Sequence, residues 1–142
     1  AGGFAEFALG LVDHRREGYE VTPDRVRVDF TVPDEPVPEE WLMPLALSLN
    51  EMVSNAFKHA YADGRSGCLT VGLRMEDGSG DLTVRDDGAG MPADFDDHRT
   101  TGLGLKIMRV FAGQLGGDMR IASEPGKGAS FQLHFPLAPA AG

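Results

Sequence analysis

Three groups of residues in this chain have types and spacing that suit chemistry. The first lies in the segment 47–60, which carries Ser48, Glu51, Asn55, Lys58 and His59. At 100° per residue these share one face of a helix, opposite an apolar stripe. A carboxylate, an amide oxygen and an ammonium on one stripe could hold a divalent cation and a phosphate together. Plain solvation would also explain such a face. Against it stands Asn55, because asparagine in mid-helix is a mediocre helix former and calls for a further reason.

The second group is Asp86 with Asp87-Gly88-Ala89-Gly90. Side chains alternate along a strand, so Asp86 shares the face of Leu82 and Val84, and Asp87 points the other way. A carboxylate on the apolar side of a strand end must accept hydrogen bonds, since an unpaired buried charge is costly. Asp-Gly pairs also simply reverse chains. The glycines could instead let a flat ligand approach the backbone. The third group is Thr100-Thr101-Gly102-Leu103-Gly104-Leu105 at the start of a helix. Its free N–H groups and the helix dipole suit an anion, although Thr101 or Gly102 could be a cap and no more.

Two familiar phosphate motifs fail. Gly88-Ala89-Gly90-Met91-Pro92-Ala93 fits the dinucleotide fingerprint by letters. An acidic loop follows it where a helix should, and no second strand ends in an acidic residue about 20 positions on. Gly126-Lys127-Gly128 lacks the Ser/Thr and the earlier glycine of a Walker A loop.

The elements that must position these groups are legible from periodicity. Residues 4–16 space Phe4, Phe7, Ala8, Leu11 and Val12 as an amphipathic helix. Residues 25–32 alternate Val26, Val28, Phe30 and Val32 with polar residues, as a half-buried strand does. A proline linker, Pro33 to Pro38, precedes the longest helical signal, 39–61. Leu45, Leu49, Met52, Val53, Ala56, Phe57 and Ala60 form its apolar stripe, and Pro44 either kinks it or marks its start. Runs around 69–75 and 82–86 alternate, with a hairpin turn at Asp77–Gly80. A loop over 88–102 leads to a helix at 103–115 that stops at Gly116-Gly117. Strands at 118–123 and 129–136 follow, and the tail 137–142 is expected to fray. Each strand has one apolar and one polar face, unlike the continuous apolar strands of a doubly wound sheet. The expected fold is therefore α+β, a two-layer α/β sandwich with a mixed, mostly antiparallel sheet and helices on one face. The organisation expected is an N-terminal helix over 1–18, part of or leading into a domain at 19–136, then the tail.

Composition narrows the function. The 142 residues hold 22 acidic and 13 basic side chains, a net charge of −9, which argues against a nucleic-acid or anionic-lipid surface. The single cysteine, Cys68, forms no internal disulfide and no Cys-rich zinc site, and suggests a reducing compartment. No apolar run reaches transmembrane length and no leader is visible. The absence of an initial Met points to a piece of a longer chain. Glycine is in excess, 19 residues against an average of about 7%.

Four segments in order carry a resemblance: Leu47-Ser48-Leu49-Asn50-Glu51-Met52-Val53-Ser54-Asn55-Ala56-Phe57-Lys58-His59, then Asp86-Asp87-Gly88-Ala89-Gly90, then Gly102-Leu103-Gly104-Leu105, then Gly128-Ala129-Ser130-Phe131. They resemble the N, G1, G2 and G3 boxes of the ATPase domain shared by gyrase, MutL and the sensor histidine kinases, the GHKL superfamily, whose ATP-binding fold is of the Bergerat type. The tract N-E-x-V-S-N-A-x-K-H-A and the ending P-G-K-G-x-x-F look most like a bacterial sensor histidine kinase of the compact blue-light and general-stress branch. The likeness covers roughly residues 20–136.

The resemblance implies roles residue by residue. Asn55 ligates Mg2+, with Glu51 as general base or water-holder and able to reach the metal through water. Lys58 and His59 approach the phosphates. Asp86 accepts the adenine exocyclic amine, Gly88 and Gly90 let the backbone meet the base, and Met91 lines its pocket. Thr101, Gly102, Leu103, Gly104 and Leu105 form the run that brings helix N–H groups to the phosphates, and Ser130 supports Asp86 from the next strand. Residues 91–101 are the ATP lid. The cofactors implied are ATP and Mg2+. Phosphoryl transfer needs positioning and charge neutralisation more than covalent help, which suits this donor set.

No two-helix domain bearing a phosphoacceptor histidine is present: His14 lies too near the start, His98 falls in the lid, and His134 sits on a polar strand face. The reading is thus the ATP-binding catalytic domain of a cytoplasmic sensor histidine kinase, weakly active or inactive alone. Its partners would be a dimerisation and histidine-phosphotransfer domain of the same protein and a response regulator, with no nucleic acid and no membrane contact. The alternatives are an anti-sigma-factor serine kinase and a nucleotide-sensing module without catalysis. A gyrase-type ATPase is disfavoured by the missing transducer domain and DNA-binding charge.

Overall fold

The computed structural model describes residues 3–33, 37, 39–61, 64–76, 78–88, 103–124 and 126–136. Most of the loop expected at 88–102, including the lid 91–101, and the tail 137–142 lie outside the described residues. The elements run α1 (Gly3–Gly18), β1 (Val26–Thr31), α2 (Glu39–Asn55), a π-helical segment (Ala56–Ala60), β2 (Gly67–Glu76), β3 (Ser79–Asp86), α3 (Leu103–Gln114), β4 (Asp118–Glu124) and β5 (Gly128–Pro136).

The five strands form one sheet in the order β1-β2-β3-β5-β4. β1 and β2 are parallel, joined through α2, and the other neighbours are antiparallel. The alternation in sequence decides which face is covered. Leu69, Val71, Leu73, Leu82, Val84, Phe131, Leu133 and Phe135 are all buried, whereas Thr70, Arg74 and Arg85 between them are exposed. The covered face meets Leu45, Leu49, Met52, Val53, Ala56, Phe57 and Ala60, the stripe expected on the long helix. α1 adds Phe4, Ala8 and Val12 to this core, and α3 adds Met108 and Ala112. The result is the two-layer sandwich that the strand patterning predicts, with an open polar face behind the sheet.

Local chemistry sets the ends of the elements. The pair Glu76↔Ser79 closes the β2–β3 ladder, leaving a two-residue hairpin loop with Gly78 at φ 78°. α3 ends in a Schellman motif: Gly117 N–H donates to Ala112 O at 2.8 Å and Gly116 N–H to Gly113 O at 3.0 Å, with Gly116 at φ 78°. α1 ends the same way two residues later than expected. Val21 N–H reaches Arg16 O at 2.9 Å, Glu20 N–H reaches Glu17 O at 3.1 Å, and Glu20 takes the left-handed position at φ 55°. Gly18, which as a glycine would suit such a stop, stays helical. Pro44 sits inside α2 and does not mark its start.

Two expectations about α2 change. Ser48, placed on the polar face by the 100° wheel, is fully buried, and its hydroxyl has no hydrogen-bond partner among the described residues. The reason is that α2 is covered on more than one side, by α1 and α3 as well as by the sheet. Beyond Asn55 the chain becomes π-helical. The wider turn rotates less per residue, so the wheel that grouped Lys58 and His59 with Glu51 no longer applies there.

Candidate functional site

The strand-end carboxylate is the best-defined part of the site. Asp86 is the last residue of β3 and is 5% exposed. Its Oδ1 accepts the backbone N–H of Gly88 at 3.0 Å and that of Ala129 at 3.2 Å. Two backbone donors hold the carboxylate in one orientation, as the sequence argument required of a buried acid.

Two glycines bracket Asp86 because nothing larger fits. A Cβ on Gly88 would lie 2.8 Å from both the carbonyl carbon and the Cβ of Ala60, and nearer still to the carbonyl oxygen. A Cβ on Gly128 would sit 3.1 Å from the Asp86 carbonyl carbon, and Gly128 also has φ 102°. The Gly88–Ala60 approach brings the strand end against the end of the π-helical segment, so two of the three chemical groups legible in sequence meet there.

The helix-borne group is split. Glu51 and Asn55 are half-buried on the last turns of α2, while Lys58 is exposed in the π-helical segment. For His59 only the helical backbone is described, and the same holds for Leu103, Gly104 and Leu105 at the start of α3. Gly90, Met91, Thr101 and Gly102 lie outside the described residues. Among those described, no group of three or more His, Cys, Asp or Glu side chains could hold a metal by itself. A donor set of one amide oxygen and one carboxylate instead fits Mg2+, which keeps waters and is commonly shared with substrate phosphates.

Ser130 is a correction. β5 alternates, and Ala129, Phe131 and Leu133 take the covered face, so Ser130 pairs with Arg85 on the open one. No hydrogen bond joins the Ser130 hydroxyl to Asp86; the backbone N–H of Ala129 supplies that support. Ser130, Arg85, Ser123 and Lys127 instead line a shallow cavity of about 230 Å³ at this end of the sheet, whose wall also includes Asp86.

A polar cluster that periodicity did not single out flanks Asp86. Tyr61 follows the π-helical segment and is fully buried. Its hydroxyl lies 3.0 Å from Asp87 Oδ1 and 2.9 Å from the Cys68 carbonyl oxygen. Asp87 Oδ1 also accepts the Cys68 N–H at 2.9 Å. Arg25 donates to the Tyr61 carbonyl at 2.8 Å. Burial, then the nearby carboxylates of Asp87 and Asp86, push the Tyr61 phenol well above its ordinary value, so it stays protonated. The available signal was an aromatic hydroxyl continuing the stripe of Phe57 and Ala60, next to a second aspartate at a strand end.

Comparisons with known proteins identify the family. Blue-light-activated histidine kinase 2 of Erythrobacter litoralis is 32% identical over 116 residues, covering 80% of this chain and 33% of that protein. Sensor histidine kinase RcsC of Salmonella typhimurium is 32% identical over 124 residues, 76% of this chain and 13% of that protein. The chain therefore spans a third or less of these relatives. Among solved structures, the histidine kinase domain of the Erythrobacter litoralis EL346 blue-light-activated kinase superposes with a TM-score of 0.80 at 25% identity, covering 92% of this chain and 61% of that one. The mycobacterial sensor histidine kinase MprB shares the fold at a TM-score of 0.63 and 21% identity, covering 92% of this chain and 96% of that one. A buried, backbone-held aspartate at the end of the strand beside the long helix, these relatives, and a match over residues 43–139 together lead to one assignment: the chain belongs to the histidine kinase-, DNA gyrase B- and HSP90-like ATPase family.

Proposed function

We propose that the chain is the ATP-binding catalytic domain of a sensor histidine kinase, with the domain proper over residues 19–136 and the N-terminal helix, residues 1–18, part of it or leading into it. It would orient the γ-phosphoryl group of ATP toward a histidine on a separate dimerisation domain. The phosphorus–oxygen bond to ADP breaks, a phosphorus–nitrogen bond to the imidazole forms, and ADP leaves with the electron pair. The observation that carries the reading is Asp86, buried and held by the Gly88 and Ala129 N–H groups in a chain of this ATPase family. A fixed carboxylate beside bare backbone suits acceptance of an adenine amino group.

Asn55, with Glu51 one turn earlier, would hold Mg2+, which when bound neutralises phosphate charge. Glu51 would orient or deprotonate, and Lys58 and His59 would approach the phosphates from the π-helical segment. Gly90 and Met91 would complete the base pocket, and the run Thr101, Gly102, Leu103, Gly104, Leu105 would present N–H groups to the phosphates at the start of α3. An imidazole acceptor is already nucleophilic, so the domain's work is positioning. Histidine is favoured over serine as acceptor because the relatives described above are named as histidine kinases. The response regulator and a cytoplasmic location belong to the same proposal; no helix among the described residues is long and apolar enough to cross a membrane.

Calorimetric titration with ATP, with and without Mg2+, tests the assignment. Asp86→Asn should weaken ATP at least tenfold on the order expected for a buried charge-assisted hydrogen bond, and independently of Mg2+. Asn55→Ala should remove most of the Mg2+-dependent gain. Unchanged ATP affinity in Asp86→Asn refutes the base assignment, and an undiminished Mg2+ effect in Asn55→Ala refutes the metal assignment.

A further inference from the structure

The β2–β3 ladder runs from Glu76↔Ser79 to Leu69↔Asp86, and the next pair in register would be Cys68 with Asp87. That pair is not closed by backbone alone. The Tyr61 hydroxyl enters the gap, 2.9 Å from Cys68 O and 3.4 Å from Asp87 N, while Asp87 Oδ1 takes the Cys68 N–H at 2.9 Å. A side-chain hydroxyl thus stands where a ladder bond would have been, and the strand end that carries Asp86 is spaced by its width.

The insertion depends on a tight fit. A Cβ on Gly67 would lie 3.1 Å from Asp87 Cγ and 3.0 Å from Tyr61 Cε1, so a larger residue at the start of β2 would displace both. On the other side, Arg25 holds the Tyr61 carbonyl at 2.8 Å. Tyr61 directly follows Ala60, whose carbonyl packs on Gly88. Two ties therefore hold the chain directly after Asp86, one at Gly88 through Ala60 and one at Asp87 through Tyr61. Both originate at the end of the segment that carries Lys58 and His59.

We propose that Tyr61 and Asp87 are positioning residues that set the distance between the base end and the phosphate end of the nucleotide site. The proposal deepens the nucleotide-site reading and rests on it. The pair touches no substrate; it acts by fixing Asp86 relative to the π-helical segment. An apolar contact could hold the two elements together, but a hydroxyl with two short polar partners also fixes their direction.

The test measures affinities for ATP with Mg2+ and, by competition, for adenosine, which occupies only the base end. Tyr61→Phe keeps the ring and removes the hydroxyl; Asp87→Ala removes the acceptor; Asp87→Asn keeps an oxygen acceptor at the same place. Tyr61→Phe and Asp87→Ala should each weaken ATP by about three- to tenfold, the worth of one half-buried hydrogen bond, with adenosine changed less than about twofold. Asp87→Asn should restore ATP to within about twofold of the parent, and Tyr61→Phe with Asp87→Ala should lose little more than either alone. Equal losses for ATP and adenosine, or no loss, overturn the proposal, as does an Asp87→Asn variant no better than Asp87→Ala. Should Tyr61→Phe not fold, the two Asp87 variants carry the same comparison. Asp86→Asn separates the two ideas. If it leaves both ligands unaffected while the ATP-to-adenosine ratio still shifts in Tyr61→Phe, the base assignment fails and the positioning pair stands.

Discussion

Replacing Gly88 by alanine adds a single methyl group where the end of β3 meets the π-helical segment. Gly88 is not among the residues at positive φ, so alanine can adopt its backbone conformation and the effect is purely steric. The new Cβ would stand 2.8 Å from the Ala60 carbonyl carbon and from the Ala60 Cβ. Ordinary carbon contacts are about 3.5–4.0 Å, so β3 and the π-helical segment must separate by roughly 0.7 Å or more. Neither side yields cheaply: Ala60 is 1% exposed, and Asp86, two residues before Gly88, is tied to β5. Overpacking of this kind costs about 1–3 kcal/mol. For a domain of this length each kcal/mol lowers the melting temperature by about 3 °C, giving an expected loss of roughly 3–9 °C. Differential scanning calorimetry with an ATP titration reads both consequences, the lower melting temperature and a weakened affinity as Asp86 moves from the segment bearing Lys58. Adding Ala60→Gly should restore only part of the loss, because it removes the Cβ contact and leaves the nearest atom, the Ala60 carbonyl oxygen, in place. A Gly88→Ala variant that melts within about 1 °C of the parent and binds ATP equally well would refute the close-approach argument.

Three further outcomes follow from single features. Glu20→Gly, at the left-handed position that ends α1, should stabilise the fold by up to about 1 kcal/mol, read as a higher melting temperature; a decrease would mean the Glu20 side chain makes a favourable contact. Ser48→Ala removes a buried hydroxyl without a partner among the described residues and should be neutral or stabilising by roughly 1 kcal/mol in urea unfolding; a loss of that size would contradict the unsatisfied state. Because the folded Tyr61 phenol titrates above its unfolded value of 10.0, the folded state keeps a proton that the unfolded chain releases. Stability from this group is full below pH 10 and falls as pH rises beyond it, so the alkaline limb of stability against pH should be shallower in Tyr61→Phe.

Much of the scaffold was legible because its signals are local and repeated. The stripe from Leu45 to Ala60 recurs at helical spacing, and Leu82, Val84, Phe131, Leu133 and Phe135 alternate at strand spacing. Asp86 was placed on the covered face by alternation alone, and its burial follows from that. The same rule, applied to Ser130, would have put its side chain with Arg85 on the open face; the family likeness had drawn it toward Asp86 instead. Ser48 was misplaced because a wheel knows the angle of a residue and not how many neighbours cover the helix. Lys58 and His59 were grouped at 100° per residue, which fails once the chain widens into a π turn after Asn55.

The sequence by itself determined the order of helices and strands, the face each strand buries, and the residue types that mark an ATP-handling domain, since periodicity, turn residues and motif spacing are properties of the chain read one window at a time. Only the tertiary structure decided that Ala60 lies against Gly88, that Ala129 and not Ser130 supports Asp86, and that Tyr61 enters the ladder between Cys68 and Asp87. Apart from Tyr61 with Cys68, seven positions on, those contacts join residues 26 or more positions apart. They depend on how closely packed surfaces meet, to within the width of a methyl group or a hydroxyl, and no local pattern in the chain encodes that distance.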